Sequence, residues 1–329
     1  MPQIEVRELT KTFRVAEPGP GLAGALVGLF RPRYREVRAL DGVDFTIQKG
    51  ELVAYVGPNG AGKSTTIKVL SGVLVPTSGQ CLVSGRVPWQ DRVLHVARIG
   101  VVFGQRTQLF WDLPLRESFE LLRAIYAVPR ENFAKRLAEL SALLALEPLF
   151  TTPVRQLSLG QRMRAELAAA LLHAPDVLFL DEPTIGLDAP SKLAVRGFIR
   201  ELNRTQGVTV ILTTHDFDDI EAVCDRVIVV ARGKVVQDGN LEALRRAVLH
   251  ERRLTVDVGD DQAEIELPAA RLVERSGARF TFAFDPERVS SAELIQELAK
   301  RTTIRDLFVA HAPIEEVISE LYRQNGGQG

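Results

Sequence analysis

The chain has 329 residues, 46% hydrophobic and 25% charged, which is too long for one ordinary domain and excludes disordered, collagen-like and disulfide-scaffold chains. Its 41 Lys and Arg against 42 Asp and Glu leave a net charge of -1, without the basic excess of a nucleic-acid binder. Cys81 and Cys224 stand far apart with no CxxC spacing, which fits a reducing compartment and argues against a zinc site.

The N-terminus carries no basic stretch followed by an apolar core. No uninterrupted apolar run approaches the roughly 20 residues of a spanning helix, so a chain that neither enters nor crosses a membrane is expected. Residues 4–9 alternate like a half-exposed strand. Between 13 and 43 the chain is rich in Gly and Pro, with an apolar run at 22–30 followed by Arg31, Arg33, Arg35 and Arg38; about 14–38 reads as an insertion. Strand 52–56 and helix 63–70 follow, then strand 99–103 and helices 116–126, 133–143 and 161–173. Strand 177–180, helix 191–206, strand 208–213, helix 217–223 and strand 226–230 complete an alternation expected of a parallel sheet covered by helices. Beyond about 247 the pattern changes: strands 254–258, 263–267 and 280–284, helix 292–300, strand 304–310 and helix 314–322 make a small α+β appendix, with 325–329 frayed.

Gly57-Pro58-Asn59-Gly60-Ala61-Gly62-Lys63-Ser64-Thr65 follows an apolar strand and opens a helix, which matches a phosphate-binding P-loop in letters and in context. Glycines let the backbone curl until its N–H groups converge on phosphate oxygens, aided by the positive end of the next helix. Lys63 would reach the β- and γ-phosphates and Ser64 would offer its hydroxyl to Mg2+. The apolar strand at 177–180 ends in Asp181 and Glu182, where the carboxyl ends of parallel strands form nucleotide sites. Asp181 would hold Mg2+ through water, and Glu182 would orient the attacking water or take its proton. Ser158, Gly160 and Gln161 open the helix at 161–173, a second anion-binding element or a plain N-cap.

The P-loop, Leu157-Ser158-Leu159-Gly160-Gln161, Asp181-Glu182-Pro183-Thr184, Gly186-Leu187-Asp188 and Thr214-His215-Asp216 occur in the order of ABC ATPases, which the chain resembles over roughly 1–245. That resemblance implies an α/β fold of the P-loop NTPase, ABC-ATPase type, with a helical subdomain at about 105–175, an antiparallel β subdomain and a small C-terminal α+β domain. Domains at 1–246 and 247–329 are expected. It also implies ATP and Mg2+ as ligands, ATP hydrolysis, Gln105 as the Q-loop glutamine touching Mg2+, His215 as the switch histidine at the γ-phosphate, and Asp188 as the D-loop aspartate. In the family two such domains pair head to tail, so Ser158 and Gly160 would close over ATP held by the other subunit's Lys63. Leu159 departs from the family's commoner glycine, which puts the tightness of that closure in question. The family also stacks an aromatic on adenine; Phe13 stands at that point, with Tyr34 as its rival.

Gln105 to Pro114 resembles the coupling loop of subunits that serve type-2 export permeases. The expected partners are therefore integral membrane permease subunits and a second ATPase subunit, identical or paired, with no nucleic acid, and the expected location is the cytoplasmic face of the cell membrane. An importer subunit, a soluble ABC ATPase acting on ribosomes or DNA, and a non-catalytic nucleotide-binding module are the alternatives. The last is disfavoured by intact Lys63, Glu182 and His215.

Overall fold

The computed structural model describes residues 2–17, 33–104, 106–248, 251–259 and 265–324. The chain divides into two compact units, Met1–Asp238 and Gly239–Gly329.

Unit 1 carries two sheets. Three antiparallel strands run in the order β2-β1-β4: β1 (Ile4–Glu17), β2 (Arg33–Ile47) and β4 (Ser78–Val83). Six strands form the second sheet in the order β5-β6-β7-β3-β8-β9. These are β3 (Leu52–Val56), β5 (Ile99–Phe103), β6 (Val177–Asp181), β7 (Thr209–Thr213), β8 (Arg226–Ala231) and β9 (Lys234–Asn240). From β5 to β8 the pairing is parallel. Every residue of β3 and β7 is buried, as strands covered on both faces must be. Helix α1 (Lys63–Leu70) follows β3, and short α2 (Arg92–Val96) precedes β5. One core joins the two sheets: Ile4, Leu40, Phe45, Val53, Tyr55, Ile67 and Phe179 all belong to it. Tyr55 satisfies its hydroxyl on Thr66 Oγ1 at 3.1 Å, so a polar tip survives full burial.

The helical subdomain is α3 (Leu115–Ile125), α4 (Arg130–Leu144) and α5 (Leu159–Leu171). Leu115, Ser118, Phe119 and Leu122 form the buried stripe of α3 at helical spacing. Helix α5 is buried nearly all round from Ala165 to Leu171, and its alanines let it lie close against β5. Helices α6 (Ala189–Gln206) and α7 (Phe217–Val223) follow β6 and β7.

The stretch 14–38, expected as an insertion, is different at both ends: residues 14–17 and 33–38 are the arms of the β1–β2 hairpin, paired from Arg14 with Glu36 to Glu17 with Arg33. Its charged residues hid the strands, because an edge ribbon can carry Arg14, Glu36 and Arg38 in water on both faces. The apolar run at 22–30 lies outside the described residues.

In unit 2 the antiparallel sheet runs β11-β12-β10-β13, with β10 (Arg252–Val258), β11 (Arg271–Ser276), β12 (Arg279–Phe284) and β13 (Ile304–His311). Helix α9 (Ser291–Arg301) is the crossover from β12 to β13, and its Leu294 and Leu298 pack on Leu254, Val256, Phe280 and Phe282. The order matches a split β-α-β layout, with no helix between β10 and β11 among the described residues. Helix α8 (Leu241–Val248) packs with α10 (Ile314–Gln324) in this unit, so the division falls before the boundary expected at 246/247. Of the strand expected at 263–267, residues 265–267 have no strand structure and the rest lie outside the described residues.

Candidate nucleotide-binding and hydrolysis site

Strand β3 ends at Val56, and after the buried Gly57 the chain turns through exposed Pro58, Asn59 and Gly60 before α1 begins at Lys63. Gly62, at the N-cap with φ of 106°, is obligatory: a Cβ there would lie 2.6 Å from the Ala39 carbonyl oxygen of β2. The loop is held from the other side by the turn between β8 and β9, where Gly233 N–H donates to Ala61 O at 3.1 Å. Lys63 is 7% exposed, and its ammonium donates to Gly57 O at 2.6 Å and Pro58 O at 3.2 Å. Burial lowers its pKa, opposed by the charges of Glu182 and Asp181. Loop amides, a buried ammonium and exposed Ser64 and half-buried Thr65 at the start of α1 together form a concave donor surface suited to phosphate.

Two strand ends adjoin it. Asp181 closes β6, and its Oδ1 accepts hydrogen bonds from Ser64 Oγ at 3.3 Å and Thr213 Oγ1, the last residue of β7, at 2.5 Å. Glu182 has φ of 55°, a left-handed conformation unusual for a side chain of its size, and its N–H is fixed by Thr213 O at 3.0 Å. From there its Oε2 lies 3.3 Å from His215 Nδ1. A carboxylate turned toward an exposed imidazole, one residue past a carboxylate that meets the P-loop serine, can orient and deprotonate a water at the end of a bound phosphate chain.

These loops are braced by Asp219 of α7, which motif reading missed. It is fully buried and accepts from Thr184 Oγ1, from Thr214 Oγ1 at 3.1 Å and from Arg196 Nε at 2.6 Å. Next to it Lys192 pairs with Asp216. Burial would raise the Asp216 pKa, but the hydrogen bond and charge of Lys192, with Arg196, bring it below the usual value.

The second element is built separately. Ser158 caps α5 in a reciprocal box: Gln161 N–H donates to Ser158 Oγ at 3.2 Å and Ser158 N–H to Gln161 Oε1 at 2.9 Å. A Cβ on Gly160 would lie 2.3 Å from Ser191 Oγ of α6, whose N-cap is Asp188. Accepting from Ser191 lowers the Asp188 pKa. Leu159 finds room because Gly186 has no side chain; a Cβ there would come within 3.1 Å of Leu159 Cδ2. Among the described residues no hydrogen bond joins this cluster to Lys63 or Ser64. The structure thus brings together Lys63, Ser64, Asp181, Glu182 and His215, and gathers Ser158, Gly160, Gln161 and Asp188 at the first turns of α5 and α6. Gln105 lies outside the described residues, and no grouping of three or more His, Cys, Asp or Glu suited to a metal occurs among the described ones.

The profile of the ABC transporter family matches residues 40–185. Nod factor export ATP-binding protein I of Ralstonia nicotianae (strain ATCC BAA-1114 / GMI1000) is 33% identical over 287 residues, covering 82% of this chain and 85% of that protein. Methionine import ATP-binding protein MetN of Geobacillus kaustophilus (strain HTA426) is 38% identical over 217 residues, 65% of this chain and 63% of that protein. The dimeric ATP-binding cassette MJ0796, solved in a post-hydrolysis state with ADP and Pi, superposes with a TM-score of 0.61 at 27% identity, covering 72% of this chain and 98% of that one. Motif order, strand order and these likenesses agree: the chain belongs to the ABC transporter family, as an ATP-binding subunit that hydrolyses ATP.

Proposed function

We propose that this ATPase drives export through a separate integral membrane permease, at the cytoplasmic face of the membrane, by closing head to tail on a second ATPase subunit around ATP. The observation that carries the catalytic part is the convergence of Lys63, Ser64, Asp181, Glu182 and His215 at the ends of β3, β6 and β7. The amides of residues 57–65 and the Lys63 ammonium bind the β- and γ-phosphates; on binding, Lys63 exchanges its loop carbonyls for phosphate oxygens. Ser64 Oγ and Asp181 Oδ1 are hard oxygen donors, so the residues present fit Mg2+, with Gln105 as a further ligand. Bound there, Mg2+ would neutralise phosphate charge. Glu182 holds the attacking water and takes its proton, while His215 steadies that carboxylate and reaches the γ-phosphate.

Ser158, Gly160 and Gln161 then serve the ATP of the partner subunit, and Asp188 lies at the shared interface. That none of them bonds to this chain's own Lys63 or Ser64 among the described residues supports this reading. Such a pairing makes the γ-phosphate a differential ligand: it bridges two surfaces before hydrolysis and releases them afterwards. For adenine, Phe13 is favoured over Tyr34. It pairs with Val37, two residues or about 7 Å along the strand from Ala39 at the P-loop, whereas Tyr34 is five residues or about 17 Å away.

Export is supported by the likeness to a Nod factor exporter and by the loop at 106–114, which presents Phe110 and Trp111 to solvent. The likeness to a methionine importer keeps import as the second reading. A tag on this chain should capture an integral membrane subunit, and Glu182→Gln should lower ATPase of the complex on the order of a hundredfold or more. Ribosomes or DNA-repair proteins in its place would overturn the transport reading. In reconstituted vesicles cargo should move away from the ATP side; movement toward it means import.

A further inference from the structure

Glu166 is a carboxylate where helical periodicity calls for an apolar residue. It sits in the third turn of α5, 4% exposed, among Met163, Ala165, Leu167 and Ala170. Burial raises its pKa, opposed by hydrogen bonds from Thr107 and Gln108. Burying such a group without a cationic partner costs several kcal/mol unless donors meet it. Here neutral donors do, and all belong to one short segment. Thr107 Oγ1 donates to Glu166 Oε1, Gln108 N–H donates to Oε2 at 3.2 Å, and Gln108 Nε2 donates to the Glu166 carbonyl oxygen at 3.2 Å.

Two further facts give the arrangement direction. Ser158, Arg162 and Glu166 stand at i, i+4 and i+8, so one face of α5 carries all three, with about 12 Å from tip to clamp. On that face the Arg162 guanidinium lies over the Trp111 ring, 5.8 Å from its centroid. The same segment meets α3 through Phe110 N–H donating to Ser118 Oγ at 3.3 Å and Ser118 Oγ donating to Phe110 O at 3.5 Å, and Arg155 N–H, three residues before Ser158, donates to Trp111 O at 3.0 Å.

We propose that Glu166 is a positioning residue that clamps the 107–111 segment to the body of α5, so that a permease pressing on Phe110 and Trp111 moves Ser158 and Gly160 with it. This rests on the permease-driven reading above. Among the described residues Glu166 makes no hydrogen bond to Lys63, Ser64, Asp181, Glu182 or His215, so its effect belongs to the communication between membrane subunit and helix tip and leaves the isolated chain's chemistry alone. A simple core role would be filled equally well by Leu or Ala.

The test uses the membrane complex captured through a tag on this chain, beside the chain alone, with ATPase followed against ATP concentration. Glu166→Ala and Thr107→Val should each lower the permease-stimulated kcat by roughly tenfold, with the KM for ATP and the isolated chain's rate unchanged. The double variant should be no worse than the worse single one, because both remove the same contact. Glu166→Gln keeps a carbonyl oxygen to accept from Thr107 and should restore most of the stimulation. Full stimulation in an assembled Glu166→Ala complex, or an equal loss in the isolated chain, overturns the proposal. If Glu166→Ala does not assemble, Thr107→Val decides: it keeps the shape and removes one hydroxyl, and wild-type stimulation in it overturns the clamp. Capture of no membrane subunit at all removes the transport reading and the clamp together, whereas a normally responding complex removes the clamp alone.

Discussion

Asp219 and Lys63 illustrate two kinds of residue in the same site. Lys63 could be singled out because a glycine-rich turn, a lysine and a following helix form a pattern that few other chemistries need, and the structure has it buried at the start of α1 with its ammonium on loop carbonyls. Glu182 and His215 were legible in the same way, although their contact at 3.3 Å could be known only from the fold. Asp219 was not, since a carboxylate on a short helix beginning Phe-Asp-Asp reads as a solvated first turn. Only the tertiary structure brings Thr184, Thr214 and Arg196 to it. Because it ties the loop after β6 to the loop after β7, Asp219→Ala should cost about 3 kcal/mol in urea unfolding by leaving buried donors unmet. It should also lower kcat with little change in KM for ATP. A folded variant with unchanged kcat would show that the brace does not set the Glu182–His215 geometry.

At the scale of elements, strands β3 and β5 and helices α1 and α7 were read to the residue, because each is a short apolar or amphipathic run between clear breakers. Strands β2, β4 and β9 were missed for one physical reason. Each lies at a sheet edge and carries a polar, exposed stretch: β4 opens on three exposed residues, β9 is at most half-buried throughout, and in β2 the alternation of buried Val43, Phe45 and Ile47 is preceded by charged residues that hid where the strand begins. Helix α5 gives the sharpest test at this scale, since its first turn meets α6 through Gly160 and Ser191. Gly160→Ala should cost about 1–3 kcal/mol by overpacking, and adding Ser191→Ala should recover most of that stability. ATPase activity should stay lost in the double variant, because Gly160 has the partner's phosphate to meet as well. Turnover that returned along with stability would reduce Gly160 to a spacer within its own chain.

For the molecule as a whole, the sequence pattern changes near residue 247 whereas the compact units divide between Asp238 and Gly239, and the topology of the second was beyond reach. Strand β11 is exposed along its length and carries no apolar alternation, so nothing local separates it from a loop. Each unit has its own buried core, one around Tyr55 and Phe179 and one around Phe280 and Phe282. Scanning calorimetry of the Glu182→Gln chain should therefore give two transitions, with ATP raising one of them by about 2.7 kcal/mol at a hundred times its Kd. A single transition that moves as a block would mean that the two units unfold as one.

The capping box of α5 has one more consequence. Gln161 N–H can only donate, so Ser158 Oγ accepts from it and keeps its own proton to give. The amides of residues 159 and 160, in the first turn, have no carbonyl four residues back. A group that brings lone pairs, such as a phosphate oxygen, therefore meets several donors at this helix tip, beside the one lone pair left on Ser158 Oγ.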